Sequence, residues 1–174
     1  MSVAPNPLHA FRFRVTFTES RIGPGGRDRD SRGAAARGSE LCHGAFSEVS
    51  GLEAVVEPFV IREGGLNWGA HQRVGRVTFG TVIFKRGVNA DRRLWKWFQQ
   101  VHGGSYAARL HVYVTLQGPP SGKDGKPADL VTWKLHNALP IKMKLTDLNA
   151  TSNEVGVEEL HLACESITEI QESR

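Results

Sequence analysis

The chain has 174 residues, a net charge of +4 and 40% hydrophobic residues, enough to bury one core and too little charge to mark a dedicated polyanion binder. Its first stretch, MSVAPNPLHAF, lacks the charged start and apolar run of a secretory signal, and no apolar run reaches membrane-spanning length. Cys42 and Cys164 lie far apart and outside any paired motif, so they read as two free thiols of a reducing compartment.

Phe11–Thr18 alternates strictly, with Phe11, Phe13, Val15 and Phe17 on one side and Arg12, Arg14, Thr16 and Thr18 on the other. That period of two predicts an amphipathic strand. Residues 20–44 change character: glycines are interleaved with Arg21, Arg27, Arg29, Arg32 and Arg37, and only Ile22 and Leu41 are sizeable apolar groups. Such a stretch buries too little surface to offset its ordering entropy, so it reads as an insertion at about 20–44 in one domain spanning 1–174. Arg27, Arg29, Arg32 and Arg37 suit a carboxylate-rich partner surface; a solvated loop with no partner fits the composition equally.

Ala45–Phe59 reads as the next β segment, bent at Gly51 and ended by Pro58. Arg62-Glu63-Gly64-Gly65 forms a loop tip, extended by Leu66, Asn67 and Trp68. Val77–Lys85 reads as one strand, apolar in both alternating sets and therefore expected to be covered on both faces. A turn over Arg86–Asn89 leads to the one expected helix, with Asn89 as N-cap and Asp91 in the first turn. Leu94, Trp97, Phe98 and Val101 make its apolar stripe, and Gly103-Gly104 stop it. Trp95 lies off the stripe, which leaves a large aromatic for another partner.

Leu110–Leu116 alternates as a strand, and Gly118–Pro127 is a loop. Val131, Trp133 and Leu135 face one way on the next strand, with Thr132, Lys134 and His136 opposite. A turn at Asn137–Pro140 precedes a strand carrying Ile141, Met143 and Leu145. Glu154–Ile170 is again β, and its apolar phase shifts between Val157 and Leu160, which predicts a bulge near Glu158-Glu159. The sum is about seven or eight strands and one helix: a mainly β, antiparallel barrel or sandwich. A chain this short with uneven strands leaves edges open, and one physical answer is to lend strands to a barrel shared between subunits.

Catalytic chemistry has little to stand on. The seven histidines are scattered without metal-ligand spacing, and Cys42-His43 is an isolated pair. GPGGRDRD lacks the Lys-Ser/Thr of a phosphate loop, and Glu158 and Glu159 point to opposite strand faces. We therefore expect no enzyme activity, no cofactor and no metal.

Seven phrases in order carry a family resemblance: Phe11–Phe17 (FRFRVTF), Phe46–Leu52 (FSEVSGL), Arg62–Gly65 (REGG), Phe84–Gly87 (FKRG), Leu94-Trp95-x-Trp97, Trp133-x-Leu-x-Asn-Ala-x-Pro140 and Asn153-Glu-Val-x-Val-Glu158. Together they resemble the contractile phage tail tube protein family, which includes the inner tubes of extracellular contractile injection systems. The resemblance implies hexameric rings that share a β-barrel, stack into a hollow tube inside a contractile sheath, and convey protein or nucleic-acid cargo. Implied partners are further copies of the chain, the sheath protein, and baseplate, hub and tube-terminating proteins. The implied location is cytoplasmic assembly followed by incorporation into a phage tail or injection particle, with no membrane anchor. Arg62, Glu63, Gly64 and Gly65 would contact a neighbouring subunit, ring or sheath. Lys85 and Arg86 would do the same, or simply form a turn with Gly87. The long Gly/Arg insertion leaves open a tube-initiating paralogue at the baseplate end. From another class, Lys134, Lys142, Lys144 and the insertion arginines could form the basic face of a nucleic-acid-binding β module.

Overall fold

The computed structural model describes residues 12–20, 40–44, 46–65, 68–88, 90–104, 109–120, 127–146, 151 and 155–170. Its elements are β1 (Phe13–Glu19), β2 (Glu40–Gly44), β3 (Glu48–Ser50), β4 (Ala54–Val56), β5 (Phe59–Ile61), β6 (His71–Arg73), β7 (Val77–Phe79), β8 (Val82–Gly87), α1 (Arg93–His102), β9 (Leu110–Pro120), β10 (Pro127–Lys144), β11 (Val157–Ala163) and β12 (Ser166–Ile170). The fold is mainly antiparallel β with one helix among the described residues, as the alternation implied. Eight strands form one sheet, in the order β2-β1-β9-β10-β11-β8-β3, and β12 also pairs with β10.

Strand β10 is what folds this sheet over. Its first half pairs with β9 on one side and β12 on the other, and its second half pairs with β11. Between the halves the register shifts twice, at Leu135–Ala138 and Pro140–Lys142, and Asn137 takes a φ of 49°. The turn expected at Asn137–Pro140 is therefore a bulged bend inside one 18-residue strand. Bulges sharpen local twist, which lets a single strand serve two sheet faces. A polar knot holds the bend. The Ser20 hydroxyl lies 2.6 Å from Asn137 Oδ1, the Asn137 amide donates to Glu165, its backbone N–H donates to His111 Nδ1, and Arg109 pairs with Glu165.

The fold-over brings opposite ends of the strand path together. Phe17 of β1, Phe46 and Phe84 of β8 form an aromatic triangle with centroid separations of 5.7 to 5.9 Å. Phe46 sits on the link from β2 to β3, which ties the two ends of the sheet by chain continuity. Trp97 of α1 meets Phe17 edge-on at 6.2 Å. Val15, Val82, Leu94, Val112, Leu135 and Leu162 fill the rest of the core.

Several boundaries differ from the sequence expectation. Val77–Lys85 is not one strand covered on both faces. It breaks at Gly80-Thr81 into β7, which is largely exposed, and β8, whose even positions alone are buried. Coverage on both faces belongs instead to β9, where His111 and Thr115 are buried along with Leu110, Val112, Val114 and Leu116. The segment Ala45–Phe59 divides into β3, β4 and β5. Gly51 makes the first break: its φ is +80°, and a Cβ there would collide with the Thr81 carbonyl oxygen. Residues 40–44, counted with the insertion, form the edge strand β2 on β1. The rest of that stretch, with Arg27, Arg29, Arg32 and Arg37, lies outside the described residues.

The helix starts later than expected: its N-cap position is Arg92, which makes no side-chain cap bond. Asn89 lies outside the described residues, and the first turn holds no acid, but just before it stands Asp91. Its carboxylate accepts from the Arg93 backbone N–H at 3.1 Å and from the Arg93 guanidinium at 2.7 Å. The guanidinium contact draws the Asp91 pKa down from 3.8 to about 2. A folded-state pKa below the unfolded one means this contact stabilises above pH 3.8 and is lost as pH falls through about 2. In an NMR titration the Asp91 carboxyl should therefore change near pH 2, and Arg93→Gln should return the midpoint towards 3.8.

Candidate assembly surfaces

Among the described residues no three His, Cys, Asp or Glu side chains gather as a metal site, and no helix is long and apolar enough to cross a membrane. Cys164 is a free, half-buried thiol whose pKa is raised by burial, which lowers its thiolate character. The surfaces of interest are the ones that the fold leaves unpartnered.

The most prominent is an arm. Outside the main sheet, residues 54–65 and 68–79 form two successive ladders of one ribbon, β4 with β7 and β5 with β6. Nearly every side chain on it is exposed, including Phe59 at 64%, Trp68 at 87% and Val74 at 85%, together with Val55, Val56, Val60 and Val77. A two-stranded ribbon is marginal in water by itself, so a ribbon presenting this much apolar surface is shaped to be covered. Gly75 lets its strands close up, because a Cβ there would strike the Glu57 carbonyl. The Arg62–Gly65 segment caps the arm. Gly65 has a φ of +96°, Glu63 pairs with His71 at 3.2 Å across the tip, and Arg62 is exposed.

Lys85 and Arg86 are placed differently. Both belong to β8, so no turn lies at Lys85–Gly87. Lys85 faces outward and pairs with Glu48 at 3.0 Å. It stands in a cross-strand row, Glu48–Lys85–Glu159–Lys144, whose charges alternate and compensate one another. Arg86 faces inward. Its side chain and that of Glu158, the residue opposite it on β11, are each 3% exposed, and Nε donates to the carboxylate at 2.5 Å. Arg86 also donates to the Asp91 carbonyl at 3.1 Å and lies 6.0 Å from the Phe46 ring centroid. Its guanidinium is an internal part of the subunit rather than a surface group.

This pair also explains the apolar phase shift in β11. The strand is regular against β8 and contains no bulge at Glu158-Glu159. Glu158, Leu160 and Leu162 all point inward, while Val155 and Val157 lie exposed. An inward acid looked like a change of register.

Sequence reasoning also placed Phe98 on the core stripe of α1. Leu94 and Trp97 are buried and Val101 packs on the core, but Phe98 is only partly buried and stacks on Trp95 at 5.8 Å beside the stripe. The lysines offered as a basic face are dispersed: Lys134 is buried 5.8 Å from the Tyr113 ring centroid, and Lys142 and Lys144 stand opposite His161 and Glu159.

Comparison with known proteins adds to this geometry. A sequence-family model described as the T4-like virus tail tube protein gp19 matches residues 9–168. A search of curated proteins by sequence returned no match. Among solved structures, a chain of the anti-feeding prophage baseplate, determined by cryo-EM with 6-fold symmetry, superposes with a TM-score of 0.72 at 25% identity, covering 97% of this chain and 98% of that one. A chain of the extended sheath–tube complex of the PVC extracellular contractile injection system gives 0.70 at 19% identity, covering 95% and 92%. A chain of the anti-feeding prophage tube-terminating cap gives 0.72 at 19% identity, covering 99% and 96%.

Proposed function

Because this chain belongs to the tail tube protein family, a family of structural proteins, we propose that it forms hexameric rings that stack into the hollow inner tube of a contractile injection system or phage tail. The tube would lie inside a contractile sheath, be driven through a target envelope on contraction, and carry cargo in its lumen. Assembly would take place in the cytoplasm before the tube joins the particle. The observation that carries this reading is the arm, whose exposed Phe59, Trp68 and Val74 are costly on a lone subunit and useful on one destined to be surrounded. A likeness to a chain from a sheath–tube complex supports the sheath as a partner.

A second reading has its own support. The 25% identity is to a chain from a baseplate structure, against 19% to one from a sheath–tube complex. That favours a tube-initiating subunit at the baseplate end, which would form single rings and stack on a different tube protein.

Negative-stain microscopy and light scattering of concentrated protein test both readings. Long tubes indicate the main tube subunit, isolated rings indicate the initiating one, and monomers at every concentration overturn the proposal. The arm tip provides a finer test. Arg62→Ala combined with Glu63→Ala should leave the thermal midpoint within a few degrees of the parent while reducing ring or tube formation. Unchanged assembly would remove the contact role proposed for Arg62–Gly65.

A further inference from the structure

Helix α1 carries aromatic rings beyond those that its core stripe buries. Leu94, Trp97 and Val101 go to the core. On the flank beside that stripe Trp95 and Phe98, both partly buried, and exposed His102 form a ladder, with ring centroids 5.8 and 6.5 Å apart and the Phe98 and His102 planes only 4° from parallel. None of the three belongs to the buried core or to the apolar groups packed on it. Lys96 projects beside the ladder, exposed, and its ammonium has no ion pair among the described residues. Arg92 lies one turn earlier on the same side, partly exposed and 3.6 Å from Glu158. The helix itself contains no acidic residue, and Asp91 before it is taken by Arg93.

The arm carries the complementary pattern. On β4, exposed Val55 and Val56 stand between Glu53 and Glu57, both exposed and without an ion-pair partner among the described residues. Among the described residues strand β4 pairs only with β7, and none of them covers its other edge. The rest of the arm is less suitable. Around Phe59, Trp68 and Val74 the charged neighbours include Arg62 and Arg73, which would repel a basic helix.

We propose that the β4 edge of one copy of this chain docks on the Trp95–Phe98–His102 face of a second copy, with the Glu53/Glu57 pair meeting Lys96 and Arg92. The inference rests on the ring-forming reading above and specifies which surfaces meet. The aromatic ladder supplies the rigid apolar anchor, and the charges fix orientation and exclude the wrong edge.

Charge reversal tests it. Lys96→Glu, Glu57→Lys and Glu53→Lys are made singly, and Lys96→Glu is combined with each glutamate change. Assembly is followed by light scattering and negative stain, with thermal melts to confirm folded subunits. Each single reversal should raise the protein concentration needed for half-assembly about tenfold, because the contact recurs around a ring. At least one double variant should recover most of that loss. Single variants that assemble like the parent, or doubles that are no better than the singles, overturn the docking proposal while rings of the parent keep the assembly reading intact. A parent that never assembles overturns both.

Discussion

Glu158→Ala is expected to destabilise the subunit by about 3–5 kcal/mol, the usual cost of removing one partner from a buried ion pair. Arg86 would remain at 3% side-chain exposure with its 2.5 Å carboxylate partner gone. Its bond to the Asp91 carbonyl, its contact with Phe46 and the field of the Asp91 carboxylate, which is held by Arg93, compensate only part of a buried charge. Because Glu158 faces Arg86 across β11 and β8, the pair also fixes register: a slip would set the charges against Phe84 or Leu160. Denaturant unfolding at neutral pH measures the loss. Replacing both residues together, Arg86→Met with Glu158→Leu, should recover most of it, since an apolar pair has no desolvation penalty. A double variant as unstable as the single one would show that the cost comes from packing rather than from an orphaned charge.

Trp97→Ala should cost about 3–5 kcal/mol, as other large-to-small core changes do. The indole is 2% exposed and closes the core against Phe17. No neighbouring element can collapse into the space, because Phe17 is itself held by Phe46 and Phe84. Trp95→Ala, only two residues away, should cost less, about 1 kcal/mol, because that ring is partly exposed and lies off the core. The contrast within one helix separates the face that makes the subunit from the face proposed for assembly. Equal losses at both positions would mean that the Trp95 face is packed in the subunit after all.

Strict alternation at Phe13, Val15 and Phe17 was sufficient to fix β1 and its inward face, because a period of two has one amphipathic solution. The spacing of Leu94, Trp97 and Val101 fixed the helix in the same way, and the ordered phrases from Phe11 to Glu158 pointed to the tail tube family. What the pattern could not resolve were the places where tertiary context changes the meaning of a residue. Glu158 reads as the site of a bulge until Arg86 is found opposite it, 72 residues away. Asn137 reads as a turn former, and it becomes a bulge inside a continuous strand only because Ser20, His111 and Glu165 satisfy its polar groups. Phe98 satisfies the helical spacing of the core stripe, yet its ring stacks on Trp95. Local sequence sets the period of an element and one favoured face. Which partner satisfies a buried charge, a freed backbone group or a second aromatic face depends on strands brought together from distant parts of the chain, and only the folded sheet decides that.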